Sequence, residues 1–305
     1  MSKAKYRVKN WSEYNKALKQ RGSVTFWLDE KAIAQWWHDT PNGKRGRDLT
    51  YSDQAIVTFM MLQAVYKLSL RSTEGFLNSL FNLMNVPLKS PDYSSVSKRA
   101  RTVKVKIPRP SGPVAHVVFD ATGLKVFGEG EWKVRKHGQE KRRTWRKLHL
   151  GVDVESQQVV CEEVSLVNVG DNEVLPKMLK KMRRRKVGKV TGDGAYDTKE
   201  CYREIARKNA IPCIPPRSNA RYWRGDHPRN DAVKALKQGQ LAQWKHDTGY
   251  HQRSLAETAM WRFKSLTGER LRYHSYNAQV GEGYVRVAVL NKLTRLGMPV
   301  SEMVR

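Results

Sequence analysis

The hydrophobic period of this chain changes from helical to strand-like after KVKIPRPSGPVA (104–115), a segment that carries Pro108, Pro110 and Pro113. Upstream, apolar residues recur at three- and four-residue intervals, as on one face of a helix. Downstream, short apolar runs bounded by Gly, Asn and Asp take over, which is the pattern of strands. A chain written this way folds as a helical region followed by an α/β region. The expected division is an N-terminal basic and aromatic arm with its linker (1–50), a helical domain (51–110), an α/β domain (111–270) and a C-terminal helical segment (271–305).

The first forty residues hold short helical patterns with aromatics expected to be exposed: Trp11, Tyr14, Phe26, Trp27, Trp36 and Trp37. PNGKRGRDLT (41–50) follows, with Arg45 and Arg47 among its basic residues. It reads either as a basic arm able to follow a phosphate backbone or as a solvated loop. From Tyr51 the pattern is strongly helical. Ser52 is placed to cap a helix with Ile56, Phe59, Met60 and Leu62, and Ser72 to cap a second with Phe76, Leu77, Leu80 and Phe81. A Pro-marked turn then leads to a short polar helix offering Tyr93, Ser94, Ser95, Lys98 and Arg99. Core helices followed by a basic, hydroxyl-rich one suit a helix-turn-helix reader of DNA, and equally an ordinary small bundle.

Charge narrows the partner. Lys plus Arg number 57 against 29 Asp plus Glu, a formal net charge of +28. The excess runs through Trp-, Tyr- and Leu-rich sequence along the whole chain rather than sitting in a tail. Such a surface repels itself, and a polyanion such as double-stranded DNA is its natural partner. No run approaches the roughly 18 apolar residues of a membrane span. The start, MSKAKYRVKNWSEY, has no apolar signal region, so a cytoplasmic location is expected. Cys161, Cys201 and Cys213 form no CxxC pair, which argues against a disulfide scaffold and a zinc ribbon. HExxH, GxSxG and GxxxxGK[ST] are all missing from the sequence, so zinc-protease, serine-hydrolase and P-loop chemistry have no support.

Beyond the boundary, HVVFDATGLKVF (116–127) reads as a strand passing through a Gly turn into another. KLHLGVDVESQQVVCEEVSLV (147–167) reads as a hairpin turning near Glu155–Gln157, and DNEVLPKMLKKMRRRK (171–186) as a basic helix. A strand and turn (189–198), a helix (198–210) and a short strand (211–217) complete the order β-β-β-α-β-α-β, followed by a further helix. This order implies a mixed sheet with helices on its faces.

Carboxylates that interrupt such basic or apolar runs are where chemistry is to be sought, because a buried carboxylate is costly unless paired or metal-bound. Asp120 ends the apolar run His116–Phe119, and Asp193 sits between Gly192 and Gly194. Each also reads as an ordinary turn aspartate. Asp171 and Asp197 are of the same type, the first placed to cap a helix and the second to turn the chain. YHQRSLAETAMWRFK (250–264) is more specific. At 100° per residue Tyr250, Arg253, Glu257 and Lys264 share an arc of about 60°, with Trp261 alongside and an apolar stripe opposite. That stripe offers one oxygen ligand for a metal, two phosphate contacts, and aromatics that can lie against a backbone or stack on a base. It also reads as a solvated face stabilised by the Arg253–Glu257 pair.

The spacing Y-x2-R-x3-E-x6-K of Tyr250, Arg253, Glu257 and Lys264 resembles the signature of DDE transposases of bacterial insertion sequences, family five above all. VVFDATGLKVF (117–127) resembles that family's first-aspartate strand and TGDGAYDT (191–198) its second-aspartate turn. The resemblance covers roughly 120–264. It implies an RNase H-like core with Asp120 and Asp193 on adjacent central strands and Glu257 on a neighbouring helix. It further implies catalysis by two divalent metals, Mg²⁺ preferred and Mn²⁺ able to substitute. The implied reaction is binding of terminal inverted repeats, cleavage at the element ends and transfer of the 3′-OH strands, by a homodimer or larger assembly in the bacterial nucleoid. Residues 217–249, with Tyr222, Trp223 and Trp244, are short for the β-rich insertion of some relatives. The rivals are a structure-specific nuclease or resolvase on the same core and a non-enzymatic helix-turn-helix regulator.

Overall fold

The computed structural model describes residues 5–39, 48–126 and 145–304. Arg45 and Arg47 lie outside those residues, as does most of 133–147, a Lys- and Arg-rich run whose sequence suggests that it lines DNA. The chain forms two compact units, Met1–Pro108 with Ser275–Arg305 and Arg109–His274. The boundary falls inside the proline-marked segment, while the C-terminal residues join the N-terminal unit rather than standing alone.

In the first unit, β1 (Lys5–Val8) precedes α1 (Trp11–Gln20), α2 (Val24–Trp27), α3 (Glu30–Ala34), α4 (Asp53–Val65), α5 (Leu70–Leu83) and α6 (Tyr93–Arg99). Side chains close the helix starts where backbone N–H groups lack partners. Ser52 accepts from the Ala55 N–H at 3.1 Å, and Asp92 from the Ser94 N–H at 2.7 Å. The cap of α5 is Ser69, not Ser72: Ser69 accepts from the Ser72 N–H, so the helix begins a turn earlier than expected. Two of the six aromatics expected at the surface are core instead. Trp36 is fully buried and donates its indole N–H to the Lys89 carbonyl at 2.8 Å, and Trp27 is buried as well.

In the second unit, β2 (Val114–Val126) is one continuous strand, so Gly123 marks no turn. A Cβ there would meet the Trp145 ring at 3.0 Å, and close cross-strand packing explains the glycine. β3 (Trp145–Asp153) and β4 (Val159–Leu166) form the expected hairpin, followed by α7 (Asp171–Lys181), β5 (Val187–Thr191), α8 (Lys199–Ala206) and β6 (Ile211–Cys213). Then come α9 (Arg229–Lys237), α10 (Leu241–Asp247), a 3₁₀ turn (Tyr250–Arg253), α11 (Ser254–Thr267) and β7 (Arg270–Leu271). The strand order is β4-β3-β2-β5-β6, with β7 also pairing β2. β2, β3 and β4 are mutually antiparallel, whereas β5 and β6 run parallel to β2. With helices on both faces, this is the RNase H-like arrangement. Val117 and Phe119 share a core with Leu175, Met178 and Leu179 of α7 and Ile205 of α8. Side chains alternate along a strand, so Val118 and Asp120 point to the other face, which α11 covers with Ala256, Ala259, Met260 and Phe263.

The chain ends with α12 (Tyr276–Leu296) and β8 (Ser301–Val304), which pairs antiparallel with β1. α12 packs on α4, and at Gly281 an added Cβ would lie 2.5 Å from the Ala100 carbonyl. Only glycine permits that approach. No helix among the described residues is long and apolar enough to cross a membrane.

Asp171 is not the cap of α7 but its first residue. Its carboxylate takes Lys147 Nζ at 2.9 Å and lies 3.7 Å from Nδ1 of the buried His149. Burial, which outweighs the attraction of Asp171, pushes the His149 pKa down to about 4. A histidine depressed in the folded state contributes stability above its unfolded pKa of about 6.5 and loses it as pH falls toward 4. We therefore expect His149→Gln to flatten the acid limb of a denaturation-versus-pH profile between those values, by roughly 2–3 kcal/mol. An unchanged limb would show that His149 does not govern it.

Candidate active site

Sheet register brings the two aspartates together. β2 and β5 run parallel and pair Val118 with Thr191 as their last partners. Two residues further along each chain lie Asp120 and Asp193, at the same end of adjacent strands. β2 itself continues, held on its other side by β3, where Asp120 is opposite Leu150. β7 takes up the β5 side of β2 only from Lys125 onward. From Phe119 to Leu124 that edge therefore faces no strand among the described residues, and Asp120 sits in the gap. Asp120 is thus within a long strand, not at its end; it is the parallel partner that ends there. Open α/β sheets carry their ligand sites beyond the carboxyl ends of their strands.

Asp193 is fixed by a local device. Its carboxylate accepts the Ala195 N–H at 2.8 Å and starts a single 3₁₀ turn, Gly194–Tyr196. Gly192 has a packing reason, because a Cβ there would come within 2.5 Å of the buried Tyr196 ring. Asp197 does more than turn the chain: it is buried and takes both Nε and Nη2 of Arg229, at 2.5 and 2.8 Å.

The third carboxylate arrives from α11. The segment expected as one α-helix from Tyr250 begins instead as a 3₁₀ turn and becomes α-helical at Ser254. Gly249, at φ +66°, sets the turn that redirects the chain after α10. Arg253 bridges two elements: Nη1 donates to Asp120 Oδ2 at 3.1 Å, and Nη2 donates to Glu257 Oε1 one turn along. Tyr250, Asp120, Glu257 and Asp193 all bear electrostatically on this guanidinium. Burial raises the Tyr250 pKa, opposed by Arg253 and assisted by Asp193. Glu257 and Trp261 are exposed on one side of α11, and the half-buried Lys264 lies two turns beyond Glu257.

Burial also raises the Asp120 pKa. The Ala121 N–H and Arg253 oppose that rise, while Asp193 and Glu257 add to it. Three carboxylates thus feel one another around one guanidinium. Beneath them the buried His116 ties two of the supporting segments, with Nε2 2.7 Å from Thr191 Oγ1 and Nδ1 2.9 Å from Gln252 Oε1. A polar residue inside an apolar strand run was the available signal for His116. Arg229 and Gln252 carried none, since neither falls in a periodic or motif-bearing position.

On α6 the residues proposed to read DNA divide. Lys98 and Ser94 are exposed, and Tyr93 lies under the Arg71 guanidinium at 4.2 Å. Arg99 is turned inward to Asp53 and to the Tyr51 carbonyl, so its charge is spent inside the unit.

A family model described as a transposase DDE domain matches residues 113–292, well over half the chain. The chain belongs to the DDE transposase family. A second model of the same description matches residues 19–129 of this transposase. A solved cryo-EM structure of a piggyBac transposase synaptic complex with hairpin DNA is similar over 90% of this chain and 73% of that one, at 13% identity and a TM-score of 0.42. Family membership makes the protein a DDE-type polynucleotidyl transferase, and dependence on a divalent metal goes with it.

The residues present fit such an ion in chemistry. They are hard carboxylate oxygens, of the kind Mg²⁺ prefers, and Asp193 and Glu257 both bear electrostatically on Asp120. As they stand, no three His, Cys, Asp or Glu side chains among the described residues close into a metal cage. The Arg253 guanidinium occupies the bridging place between Asp120 and Glu257.

A carboxylate whose pKa is raised on folding contributes stability that is complete below its unfolded value of 3.8 and lost as pH rises through the folded value. At neutral pH, ionised Asp120 is therefore a net liability to the fold. Asp120→Asn is expected to raise Tm at pH 7, with the difference vanishing near pH 3. A lower Tm at pH 7 in scanning calorimetry would reverse that assignment.

Proposed function

We propose that this DDE transposase is that of a bacterial insertion sequence of family five. It binds the terminal inverted repeats, cleaves at the element ends and joins the freed 3′-OH strands to target DNA. The reading is carried by Asp120, Asp193 and Glu257 reaching one end of the sheet from three elements, with Arg253 among them, in a chain of net charge +28.

Asp120, Asp193 and Glu257 would hold two divalent ions, Mg²⁺ by preference and Mn²⁺ as a substitute. Bound there, such ions supply activation of the attacking oxygen and stabilisation of the leaving one. The remaining work belongs to side chains of the chain itself. Arg253 lets go of Asp120 and Glu257 and holds a phosphate, a bidentate partner suited to its fork. Lys264 takes a neighbouring phosphate, and Tyr250 positions the backbone near the scissile bond. Trp261, 69% exposed, is free to lie against a base or sugar. In the N-terminal unit Tyr93, Ser94 and Lys98 face the repeat, and Arg45 and Arg47 follow the backbone. Two element ends must be held together, so at least two protomers act at once. The protein works in the cytoplasm, on the nucleoid.

The decisive assay uses end-labelled DNA carrying the inverted repeats that flank the coding region. Asp120→Asn, Asp193→Asn and Glu257→Gln are each expected to lower Mg²⁺-dependent end cleavage by roughly three orders of magnitude or more, with repeat binding retained. Cleavage indifferent to the repeat sequence, without strand joining, would identify a structure-specific nuclease instead. Full biological activity in all three variants would identify a regulator. Lys98→Ala is expected to weaken binding across sequences and reduce the salt slope by about one. Arg99→Ala is expected to lower Tm instead, through loss of its pair with Asp53.

A further inference from the structure

The local hold on Asp193 is a single hydrogen bond, from the Ala195 N–H to its carboxylate. Asp193 follows β5 by two residues, has glycine on both sides and opens a 3₁₀ turn of only three residues. Turns of that kind have poor internal hydrogen-bond geometry, and flanking glycines widen the backbone's freedom. Catalytic groups need positions fixed to a fraction of an ångström, and that precision comes from the residues around them.

The supporting contacts come from residues 217–230. Arg217 Nε donates to the Gly194 carbonyl at 3.2 Å, and its Nη2 to the Ala195 carbonyl at 3.5 Å. The Ala195 N–H is the group that holds the Asp193 carboxylate. Ala195 is thus engaged at both its N–H and its C=O, one by Asp193 and the other by Arg217. The Arg217 backbone N–H donates to Asp197 Oδ2 at 3.2 Å.

Asp197 in turn is locked. Its side chain is 1% exposed and that of Arg229 is 5% exposed. Arg229 uses its remaining terminal nitrogen on the Arg221 carbonyl at 2.7 Å, and its guanidinium lies 4.3 Å from the Trp223 ring centroid. Trp223, Tyr202 and His227 pack edge to face around it. Trp223 and Asn230 exchange two hydrogen bonds at 2.9 Å. Arg229 therefore ties the loop 217–223 to the far side of the Asp193 turn, and the loop places Arg217 over its carbonyls.

We infer that Arg217, anchored by the buried Asp197–Arg229 pair, is a positioning residue for Asp193, and that residues 217–230 form a clasp on the catalytic turn. The inference rests on Asp193 being a metal-holding carboxylate. It assigns a purpose to part of the segment between β6 and α11 that no motif explained. A fork is required, because the two carbonyls are taken by two different nitrogens of one guanidinium. Lysine keeps the charge at 217 and cannot make that pair of contacts.

The test uses the full chain free of DNA, with Mn²⁺ binding followed by titration calorimetry, alongside Tm, repeat binding and end cleavage. Arg217→Met and Arg217→Lys are both expected to weaken Mn²⁺ binding by about tenfold or more, the usual scale for groups that orient a metal ligand. Arg217 is exposed, so Tm should hardly move, and Arg217→Lys should bind repeat DNA as the parent does. Since Arg229→Met alone risks misfolding, the double substitution Asp197→Leu with Arg229→Met removes the pair as a unit. It should retain a cooperative transition yet show the same loss of Mn²⁺ affinity. Parent-like Mn²⁺ binding in Arg217→Met, or full rescue by Arg217→Lys, would overturn the clasp and leave Arg217 as a phosphate contact. Asp193→Asn separates the two levels. If it too binds Mn²⁺ like the parent, the reading of Asp193 itself has failed; if it alone loses binding, only the clasp has.

Discussion

Like charges do not gather without compensation, and the end of this sheet that carries Asp120 and Asp193 is organised around that fact. Burial, with the charges of Asp193 and Glu257 adding to it, makes the Asp120 proton harder to remove than in water. The compensation is supplied by a residue of the chain, Arg253, which reaches Asp120 on β2 while holding Glu257 on α11. One guanidinium thereby does two jobs at once. It keeps the carboxylates from repelling each other apart, and it sets the approach of α11 to the sheet. A buried or half-buried charge stays only where it is paired, so on the proposed reading a divalent ion and Arg253 are alternative partners for the same oxygens. Arg253 offsets part of the negative charge of this cluster, and the cost of the cluster to stability is reduced to that extent.

That arrangement was legible in part. The Y-x2-R-x3-E-x6-K spacing carried real geometry, because Arg253 and Glu257 are one helical turn apart and do pair. The wheel erred at its start, where Tyr250–Arg253 is a 3₁₀ turn; a composition free of Gly and Pro says nothing about which helix type opens a segment. The strand order β-β-β-α-β-α-β was readable because strand and helix periods differ so plainly. Gly123 misled, since a glycine in an apolar run signals close packing as readily as a turn, and here the neighbour is the Trp145 ring.

What sequence could not display were contacts between irregular segments and the home of an unpatterned helix. Asp197 and Arg229 sit outside any repeat, and nothing local distinguishes them from solvated charges. α12 is buried nearly all round, and its buried positions include Gln279, Glu282, Arg286 and Asn291. With no apolar stripe, there is no face from which to infer a partner, and its place against α4 emerges only in three dimensions. The β1–β8 pairing joins two four-residue strands from opposite ends of the chain, too short and too polar to announce themselves. Trp27 and Trp36 lie in short helical patterns at the start of a basic chain, and neither feature prevents a large ring from turning inward.

The same distinction changes how the net charge should be understood. Basic residues in this protein are of two kinds. Some are engaged by acids of the chain itself, most of them at least partly buried: Lys147 with Asp171, Lys181 with Glu163, Arg109 with Glu162, Arg229 with Asp197, Arg99 with Asp53. Every such pair also consumes an acid, so pairing leaves the surplus untouched while concentrating it. Removing the paired acids from the surface raises the positive character of what remains there, and exposed residues such as Lys98, Arg183 and Arg184 contribute to it. A count of lysines and arginines overstates how many individual residues can meet a phosphate, as Arg99 illustrates. It does not overstate the field, because net charge is conserved under internal pairing. Attraction to a polyanion is therefore a property of the whole chain, whereas the chemistry we propose depends on the few acids around Arg253.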